Sequence, residues 1–266
     1  DLDRLGFATA VDMLAFVRTH LPAPLRLTAA PRFFEVREDD ERGGRRDDDA
    51  RIRDLQGAID DQRTLAIVSA NGGAYLSRIL ADINFSPLAR RRAPFWMFGF
   101  SEITTLVNLV ASYRCGRGVY WLCPNFLAWK IRPRAAAREA VAEFWQTLPV
   151  ILDGGWPGRP TPSRGGGWIS TQKDFKHLDF GPIRGRLVSG RAESGRVRLI
   201  GGCIAVFCAF LIAKQAKRLR PDGRWLILED IREAPYRLDR YFASFKLAGW
   251  FDRLAGLIIG DFHTPE

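Results

Sequence analysis

The chain of 266 residues carries 40 Lys and Arg against 30 Asp and Glu, with 47% hydrophobic and 12% aromatic residues. That length holds one large domain or two modest ones with a real core, and so ordinary a composition excludes a disordered, collagen-like or disulfide-scaffold protein. No apolar run approaches the roughly 20 residues that span a bilayer, since the longest, residues 200–213, is interrupted by Gly201 and Gly202.

The formal charge of +10 is almost wholly arginine: six lysines (Lys130, Lys173, Lys176, Lys214, Lys217 and Lys246) leave 34 arginines. Nucleic-acid binders gather such charge into a stripe or helix face. Here it is scattered, and the densest run, Arg90-Arg91-Arg92, lies between two apolar segments. A solvated basic surface is therefore expected, with no nucleic-acid partner. Cys115, Cys123, Cys203 and Cys208 form no CxxC pair and have no companion His at ligand spacing, which predicts free thiols in a reducing compartment and no metal site. Asp1 opens no basic and apolar leader, so no signal peptide is expected; the chain also lacks an initiator Met, as a processed or truncated start would.

In chain order, residues 36–50 (VREDDERGGRRDDDA) read as a charged surface loop. Ile52, Leu55 and Ile59 then mark a one-sided helix. Thr64 to Ser69 is a short apolar run, read as a strand buried on both faces. Asn71-Gly72-Gly73 breaks it, and Tyr75, Leu76, Ile79, Leu80 and Ile83 resume a helical period. Phe95 to Phe98 is a second strand, ended by Gly99, and Ile103, Leu106, Val107 and Val110 trace the next helix. Gly118 to Leu122 reads as a third strand, and Ala137, Val141, Phe144 and Leu148 as a further helix. That rhythm predicts βαβ units and a parallel sheet. Residues 153–168 are rich in Gly and Pro, a linker composition. Beyond them come strand-like pieces at Arg186 to Ser189 and Arg196 to Ile200, and a helix from Ile204 to about Lys217. The strand Trp225 to Leu228, a helix over Tyr236 to Leu247 and the strand Gly256 to Ile259 follow. The expected architecture is α/β: a Rossmann-like parallel-sheet domain over 1–150, a linker over 151–185 and a smaller α+β domain over 186–266.

Three segments can carry chemistry. Ser101 stands where a buried strand becomes an amphipathic helix, so helix N-terminal N–H groups would favour an oxyanion developing there. On spacing alone the position better suits a helix cap, Ser being among the best N-cap residues, and the G-x-S-x-G elbow pattern is absent. Gly72-Gly73 can bring backbone N–H groups to a ligand, or simply form a βα turn. It lacks the third glycine of a dinucleotide fingerprint and any P-loop Lys. Glu229 and Asp230 end a strand, where parallel sheets place working groups and where a carboxylate can orient a histidine. Alternatively Glu229, Asp230 and Glu233 pair with Arg232, Arg237 and Arg240.

Taken together and in this order, the segments resemble the serine peptidase family of the LD-carboxypeptidases and the microcin C self-immunity peptidases. Its GGY turn, GYSD-I-T, GGN-L and LEDV-x-E-x-x-Y-x-x-D-R segments correspond to Gly72-Gly73, Gly99-Phe100-Ser101-Glu102-Ile103-Thr104, Gly201-Gly202-Cys203-Ile204 and Leu228-Glu229-Asp230-Ile231-Arg232-Glu233 with Tyr236 and Asp239-Arg240. Arg53-Asp54-Leu55 resembles its R-x-x-DL helix, and Gly256 to Phe262 its G-x-x-x-G-x-F strand.

The resemblance implies that Ser101 is a nucleophile, Glu229 the acid of a Ser–Glu–His triad, and the backbone N–H groups of Gly73 and Glu102 an oxyanion hole. It implies no cofactor, a cytoplasmic homodimer and a murein tetrapeptide substrate cut before its terminal D-Ala. A microcin-type aminoacyl-nucleotide amide is the alternative substrate, and a non-catalytic peptide or partner binder the alternative role. The departures are Cys203 for Asn, Ala74 for the aromatic residue of GGY, and the histidine. Of His20, His177 and His263 only the last follows Glu229, and it falls directly after the final strand, where the family's His segment does not lie; the role is not carried onto it. The family's opening strand, with its PSSP-like turn, has no counterpart before Leu5-Gly6-Phe7, so the chain is expected either to be clipped at both ends or to come from a divergent, impaired member.

Overall fold

The computed structural model describes residues 2–30, 40–153, 159–162, 168–171, 185–191 and 197–263. Its elements in chain order are α1 (Leu2–Leu5), α2 (Ala10–His20), α3 (Asp40–Asp60), β1 (Ala66–Val68), α4 (Leu76–Ile79), α5 (Ser86–Arg90), β2 (Phe95–Gly99), α6 (Thr104–Ala111), β3 (Gly116–Tyr120), α7 (Pro124–Lys130), α8 (Arg134–Leu152), β4 (Arg159–Pro162), β5 (Trp168–Thr171), β6 (Leu199–Cys203), α9 (Ile204–Phe210), β7 (Trp225–Ile231), α10 (Pro235–Leu247) and β8 (Gly256–His263). Single 3₁₀ turns lie at Leu80–Asp82, Ser101–Ile103, Lys214–Arg218 and Phe251–Arg253.

Two compact units result. The first joins Asp1–Val36 to Pro124–Arg196. In it α2 starts at a capping box, in which Thr9 accepts from the Asp12 backbone while Asp12 accepts from the Thr9 N–H. Helix α8 buries Ala137, Ala140, Val141, Phe144 and Leu148, the one-sided stripe read from the sequence. Most of the expected linker, residues 151–185, lies outside the described residues. Arg186 to Ser189 is described and is exposed without strand structure.

The second unit joins Arg37–Cys123 to Val197–Glu266, so parts of both expected domains contribute to it. It holds two three-stranded sheets, β1-β2-β3 and β6-β7-β8, each parallel throughout. Central strand β2 is buried along its length apart from Trp96, and edge strand β1 is half-buried, which corrects the expectation of a strand covered on both faces. Helix α6 follows β2 and is buried from Thr104 to Val110, because β2 and β3 pack on one side of it and β6 and α9 on another. Asn108 ties it down at its centre: the side chain accepts from the Gly201 N–H at 2.9 Å and donates to the Gly201 carbonyl at 2.8 Å. Beside the β6-β7-β8 sheet, Phe207, Phe245 and Trp250 form an aromatic cluster within the core, with Phe207 and Phe245 stacked at 5.8 Å and Trp250 edge-on to both.

Two expectations change here. Residues 40–50 continue helix α3 rather than forming a loop; the charged run is the helix's polar extension, and Gly43-Gly44 does not break it. Arg91 is not part of a solvated basic surface. It is 3% exposed, its guanidinium donates to the carbonyls of Ile59, Asp61, Gln62 and Thr64, and it lies 4.5 Å over the Phe95 ring. The rigid guanidinium fork reaches the Ile59 carbonyl, left without an intrahelical donor at the C-terminal end of α3, together with carbonyls of the turn that follows. The four cysteines are free, Cys123 and Cys203 being buried. No helix among the described residues is long and apolar enough to cross a membrane.

Candidate active site

The C-terminal ends of β2 and β3 meet at Ser101, and Glu229 of β7 is linked to the same point through Tyr120. Strand β2 ends at Gly99, Phe100 is extended, and Ser101 then adopts φ 57°, before the chain turns into the 3₁₀ turn and α6. A non-glycine residue held in the left-handed region costs about 1–3 kcal/mol and persists only where its surroundings fix it. Three bonds do so. The Ser101 N–H donates to the Tyr120 hydroxyl at 2.9 Å, and the Ser101 carbonyl accepts from the Thr104 hydroxyl at 2.5 Å and from the Thr104 N–H. The helix-cap reading does not hold, since neither the 3₁₀ turn nor α6 starts with a side-chain cap.

Gly72 lies against this turn: a Cβ built on it would stand 3.1 Å from Ser101 Cβ and 3.5 Å from Ser101 Oγ. Gly73 has φ 132° and faces open space. Glu102 turns its carboxylate back to accept from the Leu76 N–H at 2.8 Å, which fixes the start of α4 beside the glycine turn. Burial pushes its carboxyl up, against the lowering of the Leu76 and Ser77 N–H bonds.

Glu229 lies on β7 opposite Cys203 of β6. It is half-buried, and its Oε1 accepts from the Tyr120 hydroxyl at 2.6 Å. Burial pushes its carboxyl up, the Tyr120 bond opposes this, and neighbouring Asp230 adds to the rise. The salt-bridge alternative fails for the first two carboxylates. Asp230 is buried and accepts from the Ala205 and Ile231 N–H groups at 3.1 and 2.7 Å, while among the described residues only Glu233 of the three meets an arginine, Arg237 at 3.6 Å.

Tyr120 went unread in the sequence. It ends β3 in register with Gly99 and joins Ser101 to Glu229 through one oxygen. Although the residue is 37% exposed, desolvation of its hydroxyl and the adjacent Glu229 raise the phenol, so it remains a neutral donor. The only available signal was its position at the carboxyl end of a parallel strand.

Of the histidines, His20 belongs to the first unit, where its ring contacts Phe16. His177 and the His263 side chain lie outside the described residues. Among the described residues no group of three or more His, Cys, Asp or Glu side chains is placed to hold a metal.

A hydroxyl on a strained strand-to-helix turn, with a glycine pair beside it and a partly buried carboxylate linked to the same turn, is an arrangement of the kind that acyl-transfer hydrolases of the α/β class use. Two family models match the chain, the LD-carboxypeptidase N-terminal domain over residues 24–118 and the LD-carboxypeptidase C-terminal domain over residues 196–266. The chain belongs to the LD-carboxypeptidase family.

A Streptomyces coelicolor protein named as a carboxypeptidase is 31% identical over 221 residues, 81% of this chain and 59% of that protein. A Bacillus subtilis protein named as a murein peptide carboxypeptidase is 26% identical over 218 residues, 82% of this chain and 58% of that one. The chain thus spans under two thirds of these relatives' length. Among solved structures, MccF in complex with glutamyl sulfamoyl guanosine aligns with a TM-score of 0.50 at 18% identity, covering 81% of this chain and 63% of MccF. That likeness is one of fold.

Proposed function

We propose that the protein is a serine carboxypeptidase that hydrolyses an L,D amide bond and releases terminal D-Ala from murein tetrapeptide. The observation that carries the reading is Ser101 at φ 57° on the strand-to-helix turn, joined through Tyr120 to Glu229. Membership of the LD-carboxypeptidase family and the Bacillus subtilis relative's name support the substrate class.

In this mechanism Ser101 Oγ attacks the scissile carbonyl carbon while its proton passes to a histidine oriented by Glu229. The carbonyl π electrons move onto oxygen, where the N–H groups of Gly73 and Glu102 receive the charge. Collapse breaks the C–N bond, and D-Ala leaves with the proton returned by the histidine. Water then attacks the acyl-enzyme, restoring Ser101 and freeing the shortened peptide. The resemblance also implies a homodimer acting in the cytoplasm.

The experiment is incubation of the complete gene product with purified murein tetrapeptide and, separately, with a glutamyl-linked sulfamoyl nucleoside. Release of D-Ala supports the proposal. Cleavage of the nucleoside amide alone reassigns the protein to the microcin-immunity activity, and no turnover of either leaves a binding role.

A further inference from the structure

We propose that Tyr120 is a positioning residue whose single hydroxyl fixes both the Ser101 turn and the Glu229 carboxylate. The inference rests on the reading of Ser101 as the nucleophile. A phenol offers one proton and its oxygen lone pairs. The backbone N–H of Ser101 can only donate, so at 2.9 Å the phenol oxygen must accept from it. The phenol proton is therefore committed to Glu229 Oε1 at 2.6 Å, a distance that belongs to a charge-assisted bond.

One side chain so couples residues 19 and 109 positions away in sequence, and it engages one of the two carboxylate oxygens, leaving the other for the base a triad requires. The fold provides a seat for the ring. Gly202, at φ 134°, comes so close that a Cβ there would lie 2.8 Å from Tyr120 Cε2 and 2.9 Å from Thr104 Oγ1. Thr104 in turn holds the Ser101 carbonyl. A phenylalanine fills the same seat, yet it frees the Ser101 N–H and leaves Glu229 without its donor. Among the described residues the titratable groups around Glu229 are Tyr120 from β3, Asp230 from its own strand and Cys203 from β6. Of these only Tyr120 holds the carboxyl down, which gives its removal a signature beyond lost activity.

The test compares wild type with Tyr120→Phe by two readouts: ¹³C NMR titration of the Glu229 carboxyl, its resonance identified by absence from Glu229→Gln, and the rate at which a fluorophosphonate labels Ser101. The expected result is an upward move of the Glu229 titration and a labelling rate lower by about tenfold or more. A labelled wild type whose Tyr120→Phe variant labels equally fast overturns the proposal while sparing the nucleophile. If wild type is not labelled at all, the nucleophile reading fails. The titration then decides Tyr120 alone: an upward move upholds the clamp, an unmoved one removes it. Should Tyr120→Phe not fold, 3,5-difluorotyrosine at position 120 keeps the shape and strengthens the donor. It should move the Glu229 titration down, and no movement overturns the proposal.

Discussion

Gly72→Ala separates stability from reactivity at the site. Gly72 does not have positive φ, so an alanine meets no backbone penalty there. Restricting the unfolded chain contributes about 0.4–1 kcal/mol of stability. The added Cβ, however, stands 3.1 Å from Ser101 Cβ and 3.5 Å from Oγ. Ordinary carbon contacts begin near 3.5 Å, so the turn must yield by a few tenths of an ångström. A displacement of about 1 Å at a reacting group can cost about 100-fold, which scales to roughly tenfold here, about 1.4 kcal/mol of barrier. The assay pairs urea denaturation with the pseudo-first-order rate of fluorophosphonate labelling at Ser101. The midpoint should stay within about 1 kcal/mol of wild type while labelling slows about tenfold. Unchanged labelling in a folded variant would refute the claim that Gly72 sets the position of Ser101.

Three further outcomes follow from the same contacts. Asn108→Ala strips both partners from the buried Gly201 peptide group and should cost about 2–4 kcal/mol in chemical denaturation; a loss under 1 kcal/mol would remove Asn108 as the tie between α6 and β6. Glu229 has its carboxyl raised above the ordinary 4.5 by burial. The folded state therefore holds this proton more tightly than the unfolded chain, and the associated stability, full below about 4.5, is lost as pH rises through the folded value. Glu229→Gln escapes that loss, so its Tm advantage over wild type should grow from acidic to neutral pH; a pH-independent difference would contradict the sign. Burial raises the Cys203 thiol to about 12 and the Cys123 thiol to about 11, so in the native protein at mildly alkaline pH both should resist iodoacetamide while half-buried Cys115 and Cys208 react first; rapid modification of Cys203 would contradict its burial.

The strands were legible where a short apolar run stood out, as at Phe95–Phe98 and Trp225–Leu228, because burial selects such residues, although β7 runs on through the polar Glu229 and Asp230 to Ile231. Helices α5 and α7, of five and seven residues, were not, since neither spans enough turns to display a period. The start of α3 was misread because a charged, glycine-containing run has the composition of a loop whether or not its backbone is helical. Arg91 was misread because sequence counts its charge but not the carbonyls of Ile59, Asp61, Gln62 and Thr64 that surround it. At the site, the residue types around Ser101 and Glu229 by themselves favoured a cap and a salt-bridge cluster, and only the order of several short motifs singled them out for chemistry. Tyr120 stayed hidden because its role consists of two long-range bonds, and a tyrosine at a strand end carries no local mark of them.

The central claim is that Ser101 is a nucleophile made reactive by its turn. Treating the complete gene product with a fluorophosphonate and mapping the adduct by mass spectrometry tests it most directly. A single adduct on the peptide bearing Ser101, abolished by Ser101→Ala, is the expected result; an unlabelled Ser101 in the folded wild-type protein would contradict it.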